Sequence, residues 1–240
     1  MKKKIKYNRI LLKISGEFLK GTEKFSINIL FIEKLIIQIK KLLELGLQIG
    51  LVIGGGNLFR GSDLEKIGMR RTISDQVGML STVINGLFLY ELMYKHNIKT
   101  RIFSSSNLEG ICDRYRLDKV NQALDNGCVV IFCFGLGIPF FTTDSAACIY
   151  GIEIKADIFL KGTKVNGIYS SDPLINPLAK LYKKLTYTKV LQKKLKVMDN
   201  TSLILAQENK LPIIVFNMYN PAILYDLVIG NDKIGTLISD

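Results

Sequence analysis

The chain has 240 residues, 48% of them hydrophobic and 22% charged, a balance that buries a core without covalent staples and suits one large domain or two small ones. Its 33 basic residues against 21 acidic ones give a net charge of +12, which favours anionic partners: nucleotides, nucleic acid or acidic surfaces. Lys193, Lys194 and Lys196 lie in a helical stretch and read as solvated surface.

In chain order, "RILLKIS" predicts a short buried strand over Ile10 to Ile14. Ser26 is placed to cap a helix through "INILFIEKLIIQIKKLLEL", in which Ile29, Ile32, Ile36, Ile39 and Leu43 recur at helical spacing and Gly46 follows the end. "LQIGLVI" is the next strand, and "GGGNLFRGSDLEKIGMRR" a polar, glycine-rich loop with room for a helical turn. A helix runs from about Ser74 to Lys95, then strand "KTRIF", then helix "LDKVNQALDN" ended by Gly127. Strand "CVVIFCF", the short helix "DSAACIYGIEIK" and strand "ADIFLK" follow. After "TKVNGIYSSDP" the pattern changes to basic helices and the strand "PIIVF", read as a C-terminal part packed on the same sheet without a linker. The alternation, with strands that are continuous apolar runs, predicts a parallel sheet with helices on both faces.

Several classes are set aside. Cys112, Cys128, Cys133 and Cys148 form no CxxC pair, and the one histidine, His96, stands at no metal-ligand spacing. The cysteines read as reduced core residues of a cytoplasmic protein, and no metal ligand is assigned. The basic start is interrupted by Lys13 too early for a signal peptide, and the uncharged run from Asn126 to Thr143 is broken by three glycines and a proline, so no membrane segment is read. No motif or aromatic-basic stripe supports specific nucleic-acid binding.

Three polar loops follow predicted strands: "KISG" at 13–16, "GGGNLFRG" at 54–61 and "GLGIPFFTTD" at 135–144. Ligands of open α/β sheets bind at that edge, and glycine-rich backbone exposes N–H groups that bind anions. Lys13 and Arg60 add positive charge. Neither a GxxxxGK[ST] loop nor a dinucleotide fingerprint is present. Thr142 and Thr143 precede a predicted helix, so their hydroxyls and its first N–H groups face an anion well. Asp144 would repel that anion; it either holds a lysine or magnesium, or caps the helix. Phosphoryl transfer to an acceptor that is itself a phosphate needs positioning and neutralisation but no general base, which suits a chain with one histidine.

The stretches "RILLKISGE", "GTEKFSI", "ELGLQIGLVIGGGNLFRG", "PFFTTDSAA", "GIEIKADIFLKGTKVNGIYSSDP", "LKVMD" and "KLPIIVFNM" resemble, in order and over nearly the whole chain, those of the bacterial uridylate kinases of the amino-acid kinase superfamily. The resemblance implies an ATP- and magnesium-dependent conversion of UMP to UDP in pyrimidine nucleotide biosynthesis. It implies one domain over 1–240, an αβα three-layer fold around a mainly parallel sheet of about eight strands. The part to about 155 would serve mainly UMP and the phosphates, and 156–240 mainly ATP. It further implies a homohexamer with GTP as activator and UTP as inhibitor.

Carried over by motif, Lys13, Asp144 and Lys161 are the catalytic set. Lys13, Ile14, Ser15, Gly16, Gly56, Arg60, Thr163, Tyr169 and Asp172 serve ATP. Gly55, Asp75 and the segment Leu136, Gly137, Ile138, Pro139, Phe140, Phe141, Thr142 and Thr143 serve UMP, with Asp75 on the ribose. Gly21, Thr22, Glu23, Lys24, Phe25 and Ser26 match the segment linked to GTP. Four residues depart from the family pattern. Leu136 and Ile138 stand where it has Thr and Asn, Asn166 where it has Asp, and Gln76 where it has His. The first two are expected to loosen uracil recognition while sparing phosphate capture by Arg60 and Thr143. Competing readings are a kinase for a carboxylate or carbamate, a non-catalytic anion-binding relative, and a nucleic-acid-binding protein.

Overall fold

The computed structural model describes residues 5–21, 27–173, 175–195, 197–231 and 233–240. Its strands are β1 (Arg9–Ile14), β2 (Gln48–Ile53), β3 (Thr100–Ser104), β4 (Asp113–Arg114), β5 (Val129–Cys133), β6 (Ile158–Thr163), β7 (Lys184–Leu185), β8 (Ile213–Asn217) and β9 (Thr236–Ile238). Among the described residues they join in one sheet, ordered β4-β3-β5-β2-β1-β6-β8-β9-β7. Every pairing is parallel except β8 with β9. The mainly parallel sheet expected from the continuous apolar runs is present, with nine strands because the two-residue strands β4 and β7 extend its edges.

The helices are α1 (Ile29–Glu44), α2 (Gly61–Lys66), α3 (Arg71–Lys95), α4 (Leu117–Asp125), α5 (Thr143–Glu153), α6 (Tyr187–Gln192), α7 (Asn200–Glu208) and α8 (Ile223–Val228). Two separate apolar cores flank the sheet. Ile10, Leu12 and Ile14 of β1 point into the core formed with α1, α3 and α8, while Leu11 points into the core formed with α4, α5, α6 and α7. Alternate side chains of one strand thus bury against opposite layers, which is why the strand is apolar at nearly every position.

Two boundaries differ from expectation. The cap of α1 is Asn28, whose Oδ1 accepts from the Phe31 N–H at 3.0 Å; Ser26 lies outside the described residues. Helix α3 starts at Arg71, three residues before the expected Ser74, and α2 occupies the preceding loop. Helix α3 is long and apolar enough to cross a membrane by length and composition alone. Here it packs on the sheet and buries Ser81, Thr82 and Asn85.

Asn85 ties α3 to the loop after β2. Its amide donates to the Gly54 carbonyl at 2.8 Å and exchanges hydrogen bonds of 2.7 and 3.0 Å with Asn57. Asn85→Leu strands those buried groups, so unfolding free energy should fall by about 1–3 kcal/mol. Urea denaturation measures it, and an unchanged midpoint would show that the buried amide pair contributes nothing.

Candidate active site

Lys13 is the polar exception in β1. It pairs directly with Lys161 in the parallel register of β1 and β6. Neighbouring strands lie about 4.8 Å apart, so two buried ammonium groups stand side by side. Such a pair is tolerable only with a counter-charge. Asp144, in the first turn of α5, supplies it. The Lys161 Nζ donates to Asp144 Oδ2 at 2.5 Å, and the Lys13 Nζ stands 2.9 Å from Oδ1, an ion-pair contact without a well-aligned hydrogen bond. Lys161 also donates to the Val197 carbonyl at 2.5 Å.

Burial alone would push the Asp144 carboxyl upward, but the two ammonium groups outweigh it and hold the pKa at about 2. Burial pushes Lys161 down, with Asp144 opposing. Asp144 does not cap its helix. Thr142 does, its Oγ1 accepting from the N–H groups of Asp144 and Ser145 at 3.0 and 3.4 Å. Of the alternatives open in the sequence, lysine-holding is what the geometry shows. The Thr142 hydroxyl, expected to face an anion, is spent on this cap and on donating to Asp199 Oδ2 at 2.5 Å. Asp199 also accepts from the Ser145 hydroxyl and caps α7, so it binds the starts of two helices together.

The glycine loops divide in purpose. At Gly16 a Cβ would lie 2.6 Å from the Gly56 nitrogen, and at Gly55 it would lie 2.6 Å from the Ser81 Cβ. These glycines let the loops after β1 and β2 press against the protein itself. At Gly56 a Cβ would meet only the Arg60 side chain, at 3.5 Å or more, so this backbone borders open space. The Ile14 side chain is wholly buried in the core and its carbonyl accepts from the Gly54 N–H, so Ile14 presents no side chain to a ligand. Ser15 accepts from the Glu17 N–H at 3.4 Å and starts the short turn 16–19. Arg60 pairs with Glu17, and Lys164 reaches the other oxygen of that carboxylate at 2.5 Å.

Two cavities open beside the lysine pair, one bordered by Thr143 next to Asp144 and the other by Val197, whose carbonyl Lys161 reaches; Lys13, Asp144 and Lys161 line neither. One, of about 490 Å³, lies toward β2 and β5 and is lined by Gly55, Gly56, Arg60, Asp75, Leu136, Phe141, Thr142 and Thr143. Gly137, Ile138, Pro139 and Phe140, expected with them, do not line it. Gly135 and Gly137 adopt positive φ values of 54° and 74°, and the loop turns Ile138 outward, 56% exposed. Phe140 also has a positive φ, 73°, and its N–H donates to Asp75 Oδ2 at 2.8 Å beside the Arg71 guanidinium. The second cavity, about 480 Å³, lies toward β6 and β8 and is lined by Thr163, Tyr169 and Asp172 as expected. It is also lined by Lys193 and Lys194, which the sequence presented as plain surface; the turn ending α6 swings them to its mouth. Lys196 and Thr22 to Ser26 lie outside the described residues, while Gly21 packs against Ile27.

The sheet order explains this layout. From β1 the chain moves to β2 and outward on one side, then crosses to β6 and outward on the other. Crevices at such a reversal are where open α/β sheets bind ligands. Lys13 and Lys161 occupy the reversal, with one cavity on each side.

The amino acid kinase family model matches residues 8–217. Uridylate kinase of Buchnera aphidicola subsp. Cinara cedri is 71% identical over 238 residues, 99% of this chain and 100% of that one. The chain belongs to the uridylate kinases of the amino acid kinase family. Uridylate kinase of Vibrio cholerae is 52% identical over 98% of this chain and 96% of its own. The crystal structure of UMP kinase from Bacillus anthracis superposes with a TM-score of 0.93 at 36% identity, covering 98% of this chain and 96% of that one. Asn57, Asn85, Glu17, Lys164 and Asp199 also help to build the site, and none of them was marked in the sequence as part of it. Asp199 stood in the quoted "LKVMD", and its place before an apolar helical run was the available signal.

Proposed function

We propose that this chain transfers the γ-phosphoryl group of ATP to UMP, giving UDP and ADP in pyrimidine nucleotide biosynthesis. The observation that carries it is the Lys13–Asp144–Lys161 set at the sheet reversal between two nucleotide-sized cavities. UMP takes the cavity beside Asp75 and Leu136, within the part to about residue 155. ATP takes the cavity beside Thr163, Tyr169 and Asp172, within 156–240. Gly56 and Arg60 border the phosphates, and nucleotide phosphate draws Arg60 and Lys164 from Glu17. The UMP phosphate arrives as an anion, so no base is required. Lys13 and Lys161 neutralise the charge that spreads over the transferred group, and Asp144 fixes their positions. Magnesium would enter with ATP and supply charge neutralisation on its phosphates, while Asp144 is engaged by the two lysines.

We infer from the family resemblance that the chain forms a homohexamer activated by GTP and inhibited by UTP. A stripe of exposed apolar residues on α3, Leu80, Ile84, Leu87 and Phe88, supports self-association through that helix. Four unpaired cysteines support a cytoplasmic setting. ADP release followed with UMP, CMP, aspartate and carbamate as acceptors tests the activity; preference for aspartate or carbamate would overturn it.

Of the two departures in the acceptor loop, one is placed to affect base selection. Leu136 lines the acceptor cavity and Ile138 does not. Leu136→Thr should therefore raise the UMP-to-CMP ratio of kcat/KM about five-fold, the worth of one hydrogen bond, while Ile138→Asn leaves it unmoved. An equal effect of both substitutions would contradict the cavity geometry.

A further inference from the structure

Three hydroxyl residues of α3 are buried almost completely: Ser74, Ser81 and Thr82. Two are satisfied within the protein. The Ser81 Oγ donates to the Val77 carbonyl at 2.8 Å. The Thr82 Oγ1 donates to the Met79 carbonyl at 2.7 Å and accepts from the Phe134 N–H at 2.7 Å. The Ser74 Oγ has no partner, although the residue is 0% exposed. Buried hydroxyls are hydrogen-bonded as a rule, so one left over calls for a specific reason.

Its position supplies the reason. Ser74 lines the acceptor cavity, beside Asp75 and one helical turn before Gly78. Arg60, Gly56 and Thr143 line the same cavity, and Ser74 sits on α3 next to Asp75, its backbone facing Gly61. Leu136, on the loop after β5, brings only an apolar side chain. A serine hydroxyl both donates and accepts, so it can meet a ribose hydroxyl or either kind of group on a pyrimidine edge.

We propose that the Ser74 hydroxyl is a hydrogen-bond partner of the acceptor nucleoside, a polar contact held in reserve by the free protein and satisfied by UMP. The inference rests on the UMP reading and names a specificity-determining residue within it. Because the hydroxyl is unpartnered without ligand, removing it has an unusual pair of consequences. Ligand binding weakens, yet the free protein does not lose stability, since no internal hydrogen bond is broken.

The test measures UMP binding by calorimetry without ATP, steady-state kinetics with ATP, and melting of the free protein, for the parent, Ser74→Ala and Ser74→Cys. The cysteine variant keeps volume while weakening the donor, which separates the hydroxyl from a packing void. Both variants should bind UMP about fivefold more weakly and raise its KM by the same factor, with kcat close to the parent's and the melting temperature not lowered. A loss seen with UMP but absent with 2′-deoxy-UMP supports the proposal with the contact on the ribose. An equal loss with both supports it with the contact on the base or the 3′-hydroxyl. Unchanged UMP binding in both variants overturns it, as does weaker binding that comes with lower melting temperatures in both, the mark of a packing role. A parent that does not bind UMP would instead sink the UMP reading itself.

Discussion

Lys13→Ala is expected to lower kcat about a hundredfold or more, with much smaller changes in the KM values of ATP and UMP. Lys13 lies at the carboxyl end of the central strand, between the two cavities, where charge builds on the transferred phosphoryl group. An ammonium has three donors, and Asp144 occupies one side of this one, leaving a preorganised cation for the reaction. The fold should survive, because Asp144 keeps Lys161 as partner at 2.5 Å. Removing Lys13 also relieves the repulsion between the two ammonium groups. Steady-state kinetics beside a melting curve decide the matter. A well-folded variant that retains most of its turnover would make Lys13 merely a charge that balances Asp144.

For Asp144→Asn the expected fall in kcat is again about a hundredfold, and here stability falls with it. The amide keeps the shape but leaves two buried cations without their counter-charge. Breaking a buried pair in this way costs about 3–5 kcal/mol. The loss of activity should persist far below the variant's melting temperature, which separates it from unfolding. Since Thr142 rather than Asp144 caps α5, loss of a cap cannot explain either effect. The pH dependence has a definite sign. Folding holds this carboxyl at about 2, below its ordinary value of 3.8. Its ionisation therefore stabilises the protein fully above that ordinary value, and the contribution is lost as pH falls through about 2. The stability gap between the parent and Asp144→Asn should thus be widest near neutrality and close on acidification. A gap that stayed constant down to pH 2 would mean that the carboxylate is not held by the lysines.

Much of this protein was legible as sequence because the responsible forces are local or periodic. Apolar runs such as "CVVIFCF" mark strands buried on both faces, and the spacing of Ile32, Ile36 and Ile39 marks the buried face of α1. Glycines and cations after successive strands located the ligand edge, since parallel strands bring their carboxyl ends together whatever the details of the sheet. Lys13 and Asp144 stood out as charges beside apolar segments, whereas Lys161 was marked only by the resemblance to the uridylate kinases.

What needed the tertiary structure were the pairings between residues far apart in the chain. Whether Asp144 capped a helix or held lysines depended on where β1 and β6 lie relative to α5, and register alone places Lys13 against Lys161. The same holds for Glu17 with Lys164 and for Asn57 with Asn85, because a polar residue in a sequence does not disclose its distant partner. The acceptor loop shows the limit most directly. Leu136 and Ile138 look equivalent two residues apart, yet with positive φ values at Gly135 and Gly137 one packs against the core at the cavity's edge and the other faces solvent. Ser74 carried no signal at all, since only the packed helix reveals which buried hydroxyl is left without a partner. Composition and periodicity determine which segments are buried and where a ligand edge forms; the side chains that meet across that edge are decided by register and loop conformation, which act only once the sheet is assembled.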